Sequence, residues 1–243
     1  MNNLIFYSHS DCLLKDNGLN HPERKERIDT IIKSIDQIKD LRIIKKNAPL
    51  ANLQVIDYVH PINYVENLFN KIPGSGLITI EEEPYADTFL CKNSKNAILR
   101  SCGAGIAAAD DLMMDNNNRV FCGVRPPGHH AEIQKFPFGF CFINNVAVCA
   151  RYLQKEYNVN KIAIIDFDVH HGNGTQDIFF NDKNIAYASI HQSPLFPGTG
   201  FEEEKGVGNI FNAPIKNGTK SKQYHEIFEH KILNKIDKFK PEI

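Results

Sequence analysis

In the stretch IAIIDFDVHHGNG, Asp166, Asp168 and His170 stand at alternate positions behind an apolar run. In extended backbone this spacing turns all three side chains to one face. Two carboxylates and an imidazole gathered at a strand end need a cation or hydrogen-bond donors. Such a mixed N/O set suits zinc or another divalent first-row metal; the plain alternative is a charged strand end in water. Gly172-Asn173-Gly174 then permits a tight bend and close approach by a ligand. A second stretch, RPPGHHAEI (125–133), sets His129 and His130 side by side behind two prolines and a glycine. Alone it reads equally well as a solvated loop, but beside a metal it suggests metal-assisted hydrolysis. The cation would polarise a carbonyl and lower the pKa of bound water toward about 7. One histidine would take the water proton and the other supply the leaving amine, help worth on the order of 10² to 10⁴ in rate.

These residues need elements to aim them. RVFCGV (119–124) reads as a short buried strand leading into the histidine pair, KIAII as a buried strand leading into Asp166, and NIAYASIHQS as a strand running into His191. Three strands ending in polar residues point to one shared site beyond their carboxyl ends, where open α/β sheets place ligands. Helical spacing of Ile28, Ile31, Ile32, Ile35 and Ile38 marks HPERKERIDTIIKSIDQIKD, with His21 at its start. Further helices are read over KNAILRSCGAGIAAADDLMMD, whose small residues allow close packing, over 142–157, and over SKQYHEIFEHKILNKIDKF, where His225 and His230 face solvent. DNNNR (115–119) reads as a surface turn. Strands alternating with helices give an α/β class with an open, mostly parallel sheet. The loops FPFGFCFINN (136–145) and SPLFPGTG (193–200) carry aromatics: Phe142 reads as core, Phe138 is open to either reading, and Gly139-Phe140 and Phe196-Pro197 are placed to line a narrow apolar slot.

At 243 residues with 42% hydrophobic content the chain supports a single domain, 1–243. Its 28 Lys+Arg against 29 Asp+Glu leave no basic excess for direct nucleic-acid binding. No apolar run reaches the roughly 18 residues of a membrane span, and MNNLIFYSHSD lacks a signal-peptide pattern. The six cysteines contain no C-x-x-C pair, which argues for reduced thiols and a cytoplasmic location. Nothing in the sequence specifies an oligomeric state.

RPPGHHAE, FGFCFINNVAVCA, IDFDVHHGNGTQDIF, SIHQSPLFPGTG and GVGNIFNAPI, in that order, resemble the zinc-dependent histone deacetylase family, in its class II-like branch with bacterial deacetylase-like amidohydrolases. With the weaker HPERKERI, the match covers nearly the whole chain. The resemblance implies the arginase/deacetylase-like fold, a parallel sheet with helices on both faces. It implies Asp168 and His170 as two of three ligands to zinc, with iron(II) the alternative. His130 becomes the general base and His129 its electrostatic or acid partner, with Asp166 behind His129 and Asn173 behind His130. Gly139, Phe140 and Phe196 fall on the acyl-lysine channel, and Asp87 of YADTF near a rim position that grips substrate backbone. Asp166, Asp168, His170, Ser189 and Ile190 fall where the family holds a structural monovalent cation, K+. The implied substrate is an acetylated lysine side chain or an acetylated polyamine.

The resemblance breaks at KFKPEI, where the family enters a further strand supplying the third ligand and, later, a transition-state tyrosine. The expectation is a fragment of a longer enzyme, the C-terminal third of the domain being absent. Two other readings stay open: a non-catalytic acyl-lysine or metal-binding module, and an arginase-like hydrolase, against which PPGHHA and the Phe-lined slot argue.

Overall fold

The computed structural model describes residues 3–80, 86–115, 118–135 and 137–243. Tyr85 of YADTF, Phe136 and the centre of the DNNNR turn lie outside the described residues. The chain forms two compact units, Met1–Leu153 and Gln154–Ile243.

The first unit runs β1 (Asn3–Ser8), α1 (Asp11–Leu14), α2 (Glu26–Gln37), β2 (Arg42–Asn47), α3 (Leu53–Ile56), α4 (Ile62–Asn70), β3 (Leu77–Thr79), β4 (Phe89–Cys91), α5 (Ser94–Met114) and β5 (Asn118–Cys122). The helix α6 (Asn145–Tyr157) runs on into the second unit. Strands β2, β1 and β5 form a parallel sheet with β1 central. Ile5, Phe6 and Tyr7 are all buried, the pattern of a strand covered on both faces. Ile5 and Tyr7 pack with Ala48 and with Ala104 of α5, while the Phe6 ring reaches Gly123 together with Ile31 of α2. Helices thus cover both faces of this sheet.

The second unit contains β6 (Ile162–Asp166), α7 (Asn173–Phe179), β7 (Ile185–Gln192), β8 (Ile210–Ile215) and α8 (Ser221–Ile227), which passes through a π-helical turn over Phe228–Leu233 into α9 (Asn234–Phe239). Its sheet is parallel with β7 central. Ala186, Ala188 and Ile190 pack against Ile232 of the π-helical turn and Ile236 of α9, the period-2 set of one face.

The α/β class with mostly parallel strands and covering helices holds, and several finer expectations need correction. Among the described residues the strands group into two three-stranded parallel sheets, and the short antiparallel pair, β3 with β4, is the unexpected addition. Three-residue strands are too short to show a periodicity, which is why the pair is invisible in the sequence. RVFCGV is not a buried strand: β5 ends the row of its sheet and its Phe121 is 41% exposed. The helix expected over 142–157 begins at Asn145, because the Asn144 side chain accepts the Ala147 N–H (3.1 Å) and caps it. No helix of the described residues is long and apolar enough to cross a membrane. All six cysteines are free, and His225 and His230 are exposed as expected.

Candidate functional site

In the first unit the histidine-pair segment leaves β5 through Gly123 and starts at a buried anchor. Arg125 donates to both carboxylate oxygens of Glu23, Nε to Oε1 at 2.5 Å and Nη2 to Oε2 at 2.8 Å, and its Nη1 reaches the carbonyls of Cys12 and Lys15. Planar bidentate pairing of this kind fixes direction as well as charge. Burial pushes Glu23 up, but the Arg125 hydrogen bonds and the Lys15 charge outweigh it and hold the carboxyl below its usual range. Ser101 Oγ donates to the Pro126 carbonyl (2.8 Å) and accepts from Asn145 Nδ2 (2.7 Å). A Cβ on Gly128 would stand 2.5 Å from Asn145 Oδ1 and 2.6 Å from the Ile143 carbonyl, so only glycine fits there.

The Ala131 N–H donates to the Gly128 carbonyl (3.0 Å) and closes the turn around the pair. Beyond it, Asn144 Nδ2 donates to the Ala131 carbonyl (3.3 Å). His60, fully buried, donates from Nδ1 to the Ile133 carbonyl (2.8 Å) and accepts the Asn144 N–H at Nε2 (2.9 Å). Burial pushes its pKa down to about 4. Inside this bracing the rings of His129 and His130 lie 4.0 Å apart at 43°, His130 buried and His129 half-buried. The stiffness expected of the segment comes from distant residues, His60 and Asn144, as much as from its prolines.

Gly139 and Phe140 are the two central residues of a turn closed by reciprocal Phe138–Cys141 backbone hydrogen bonds (3.1 and 3.0 Å). Both have positive φ, +55° and +68°, the pattern of a type I′ turn. A Cβ on Gly139 would lie 2.4 Å from His130 Cδ2, so this glycine lets the turn close down on the histidine. Phe140 is a non-glycine residue in a left-handed conformation, which is costly and needs support from its surroundings. Thr88 Oγ1 accepts its N–H (3.0 Å), and the His21 ring meets it edge-on at 4.7 Å. Phe138 approaches His130 edge-on at 6.1 Å. Phe142 is core, as expected. Asp87 is exposed. His21 does not start the first long helix: α2 begins at Glu26, and His21 is buried, bonded through Nε2 to the Asp87 carbonyl at 3.0 Å.

In the second unit Asp166 ends β6, in register with Ser189 of β7. Its Oδ2 accepts from Tyr187 Oη (3.0 Å) and its Oδ1 from the Asp168 N–H (3.1 Å). Burial, then the Asp166 charge, raise the Tyr187 pKa well above its usual value and keep the phenol as the donor. The shared-face expectation fails beyond Asp166, because the strand stops there. Asp168 and His170 meet instead through a local turn: Asp168 Oδ1 accepts the His170 N–H (2.8 Å) and lies 3.1 Å from His170 Nδ1. Asp168 is exposed and His170 half-buried, its ring edge-on to Phe196 at 5.8 Å. Phe196 is 39% exposed, Asn173 is the first residue of α7, and Ser189 and Ile190 are buried. The Asp168–His170 pair has the donor chemistry of a first-row metal site, and its adjacency fits two ligands of one ion. Among the described residues no three His, Cys, Asp or Glu side chains group for a metal.

Two further histidines hold the loop that carries Phe196. His171 donates from Nε2 to Gln176 Oε1 (3.1 Å) and accepts from Thr199 Oγ1 at Nδ1 (2.8 Å). His191 donates from Nε2 to the Gly200 carbonyl (3.0 Å) and accepts from Ser189 Oγ (2.9 Å). Their ring centroids are 4.8 Å apart, and a Cβ on Gly200 would touch both rings. Burial, then the neighbouring His191, push His171 down to about 4; burial lowers His191 as well. The sequence pattern marks His191 only as a polar strand end and gives no sign of the clamp.

The histone deacetylase domain family matches residues 21–243, across both units. The chain is 33% identical over 247 residues to a probable deacetylase of Archaeoglobus fulgidus, covering 96% of this chain and 65% of the relative. It is 35% identical over 258 residues to histone deacetylase 14, chloroplastic, of Arabidopsis thaliana, covering 98% and 60%. The crystal structure of the HDA15 HD domain is similar with a TM-score of 0.88 at 30% identity, covering 98% of this chain and 71% of that one. The chain thus spans under two thirds of the length of these two curated relatives.

Proposed function

Because the chain belongs to the histone deacetylase family, a family of generally metal-dependent hydrolases acting on acetylated substrates, we propose that it serves to remove an acetyl group from an acetylated amine. The observation that carries this reading is the braced pair, His130 buried against Gly139 with His129 beside it at 4.0 Å. An imidazole nitrogen of His130 takes the proton of the attacking water, and His129 delivers a proton to the departing amine nitrogen. By the family resemblance Asp166 would orient His129 and Asn173 would orient His130. Asp168 and His170 would hold zinc, or iron(II), which when bound supplies polarisation of the amide carbonyl and acidification of water. By the same resemblance Gly139 and Phe140 in the first unit, and Phe196 in the second, would contact an acyl-lysine chain, and Asp87 would grip the substrate backbone. Asp166, Asp168, His170, Ser189 and Ile190 would hold a structural K+; the register pairing of Asp166 with Ser189 supports that grouping.

The test is hydrolysis of an acetyl-lysine peptide and of an acetylated diamine by the purified protein supplied with Zn2+. Replacing His130 with Ala should lower kcat by on the order of 10² to 10⁴ while the circular dichroism spectrum is retained. Unchanged turnover in His130→Ala sinks the reading, and binding without turnover in the parent protein favours an acyl-lysine-binding module instead.

A further inference from the structure

Three segments distant in sequence meet at His21. Its Nε2 faces the Asp87 carbonyl at 3.0 Å, and a carbonyl can only accept, so Nε2 carries the hydrogen. Its Nδ1 receives the Glu23 N–H at 3.0 Å and is therefore bare. One tautomer satisfies both bonds. The ring edge packs on Phe140 at 4.7 Å and on Phe89 at 5.9 Å. Glu23, which fixes the Nδ1 side, is itself clamped by Arg125, the first residue of the histidine-pair segment. A continuous set of contacts thus runs from that segment through Glu23 and His21 to Asp87.

Resting on the function proposed above, we infer that His21 is a positioning residue: its Nε2–H bond to the Asp87 carbonyl sets the rim carboxylate and makes the site selective for substrates carrying a backbone amide beside the acetylated amine. Asp87 sits two residues before β4, itself exposed beside the buried Thr88. Its side chain can be aimed only if its backbone is fixed, and the His21 bond fixes that backbone at the residue itself. An acetylated diamine has no backbone amide for Asp87 to grip and gains nothing from the arrangement.

Three substitutions separate the bond from the bulk of the ring. His21→Leu keeps apolar volume against Phe140 and Phe89 but removes both hydrogen bonds. His21→Asn places an oxygen near the Nδ1 position and no donor at Nε2. His21→Gln places an amide nitrogen near Nε2. For the acetyl-lysine peptide, KM should rise roughly 5- to 10-fold in the Leu and Asn variants with kcat retained, and return toward the parent value in the Gln variant. KM for the acetylated diamine should stay constant throughout. Equal changes for both substrates, a fall in kcat at constant KM, or a Gln variant as poor as Leu each overturns the proposal. If the parent protein hydrolyses neither substrate, the function reading falls separately, and amide hydrogen exchange over 86–91 decides on His21. Faster exchange in Leu and Asn with recovery in Gln supports the positioning role, and identical exchange in all four proteins overturns it.

Discussion

His129 and His130 are adjacent in the chain, so their pairing is plain from the residue order alone, but the parts that hold them are not. Gly139 shows the difference. Its φ of +55° already disfavours a side chain, and a Cβ there would stand 2.4 Å from His130 Cδ2 and 2.9 Å from Cγ. The methyl of Gly139→Ala can be accommodated only by shifting the buried imidazole or opening the Phe138–Cys141 turn. A displacement near 1 Å at a proton-transferring group costs on the order of 10² in rate, and the left-handed backbone adds about 1 to 2 kcal/mol of instability. Gly139→Ala should therefore lose on the order of 10² in kcat/KM while remaining folded, as read by steady-state kinetics beside urea denaturation. Gly74, with nothing within 4 Å of a built Cβ and no positive φ, is the matched control; Gly74→Ala should stay within about 0.5 kcal/mol of the parent. Parent-like activity in Gly139→Ala would mean that the contact with His130 has no catalytic weight.

At the scale of elements, the long helices are legible because many residues repeat the same signal. Ile28 and Ile35 of α2 are buried as their spacing requires, and the small residues of α5 do serve close packing. Gly103 of that helix lies so near the 49–51 segment that a Cβ would come within 2.1 Å of the Pro49 carbonyl oxygen and 2.9 Å of the Ala51 N. Helix propensity alone favours Gly103→Ala by about 1 kcal/mol, while overpacking against backbone costs about 1 to 3 kcal/mol. The obstacle is a carbonyl fixed by its own chain: the Ala51 N–H donates to the Leu99 carbonyl of the same helix at 3.0 Å, so it cannot simply swing away. Steric cost wins, and thermal melting should show Gly103→Ala less stable than the parent; a raised Tm would show that the segment gives way. The elements that are not legible depend on partners. The strand β2, RIIKKN, has too many charges to announce itself and exists by pairing with β1. Asp168 and His170 meet because the Asp168 carboxylate caps the His170 N–H, a local bond that alternation along an extended strand does not describe. His21, His60 and His171 give no periodic signal, since their partners lie 66, 84 and 28 residues away.

The response of the whole molecule to acid depends on groups that composition counts merely as histidines. Each unit buries one whose pKa is driven from 6.5 to about 4, chiefly by burial: His60 in the first and His171 in the second. Both accept a hydrogen bond at one ring nitrogen and donate at the other, so protonation breaks a bond and charges a dry site. The sign follows from linkage. Between pH 6.5 and about 4 the unfolded chain binds protons that the folded chain refuses, so stability is full above pH 6.5 and is lost as pH falls toward 4. A displacement of that size carries on the order of 3 kcal/mol per histidine, and two of them are comparable to the roughly 5 to 15 kcal/mol total stability of a domain. Much of the window lies above the usual carboxylate range, where Glu23, held low beside Arg125, remains ionised. Urea midpoints measured across it should fall steadily with acidification. His171→Gln should start less stable at pH 7, having lost its bond to Thr199 or to Gln176, yet show a shallower decline. A profile in His171→Gln as steep as the parent's would place the acid sensitivity elsewhere, and a flat parent profile would show that neither imidazole is held from its proton.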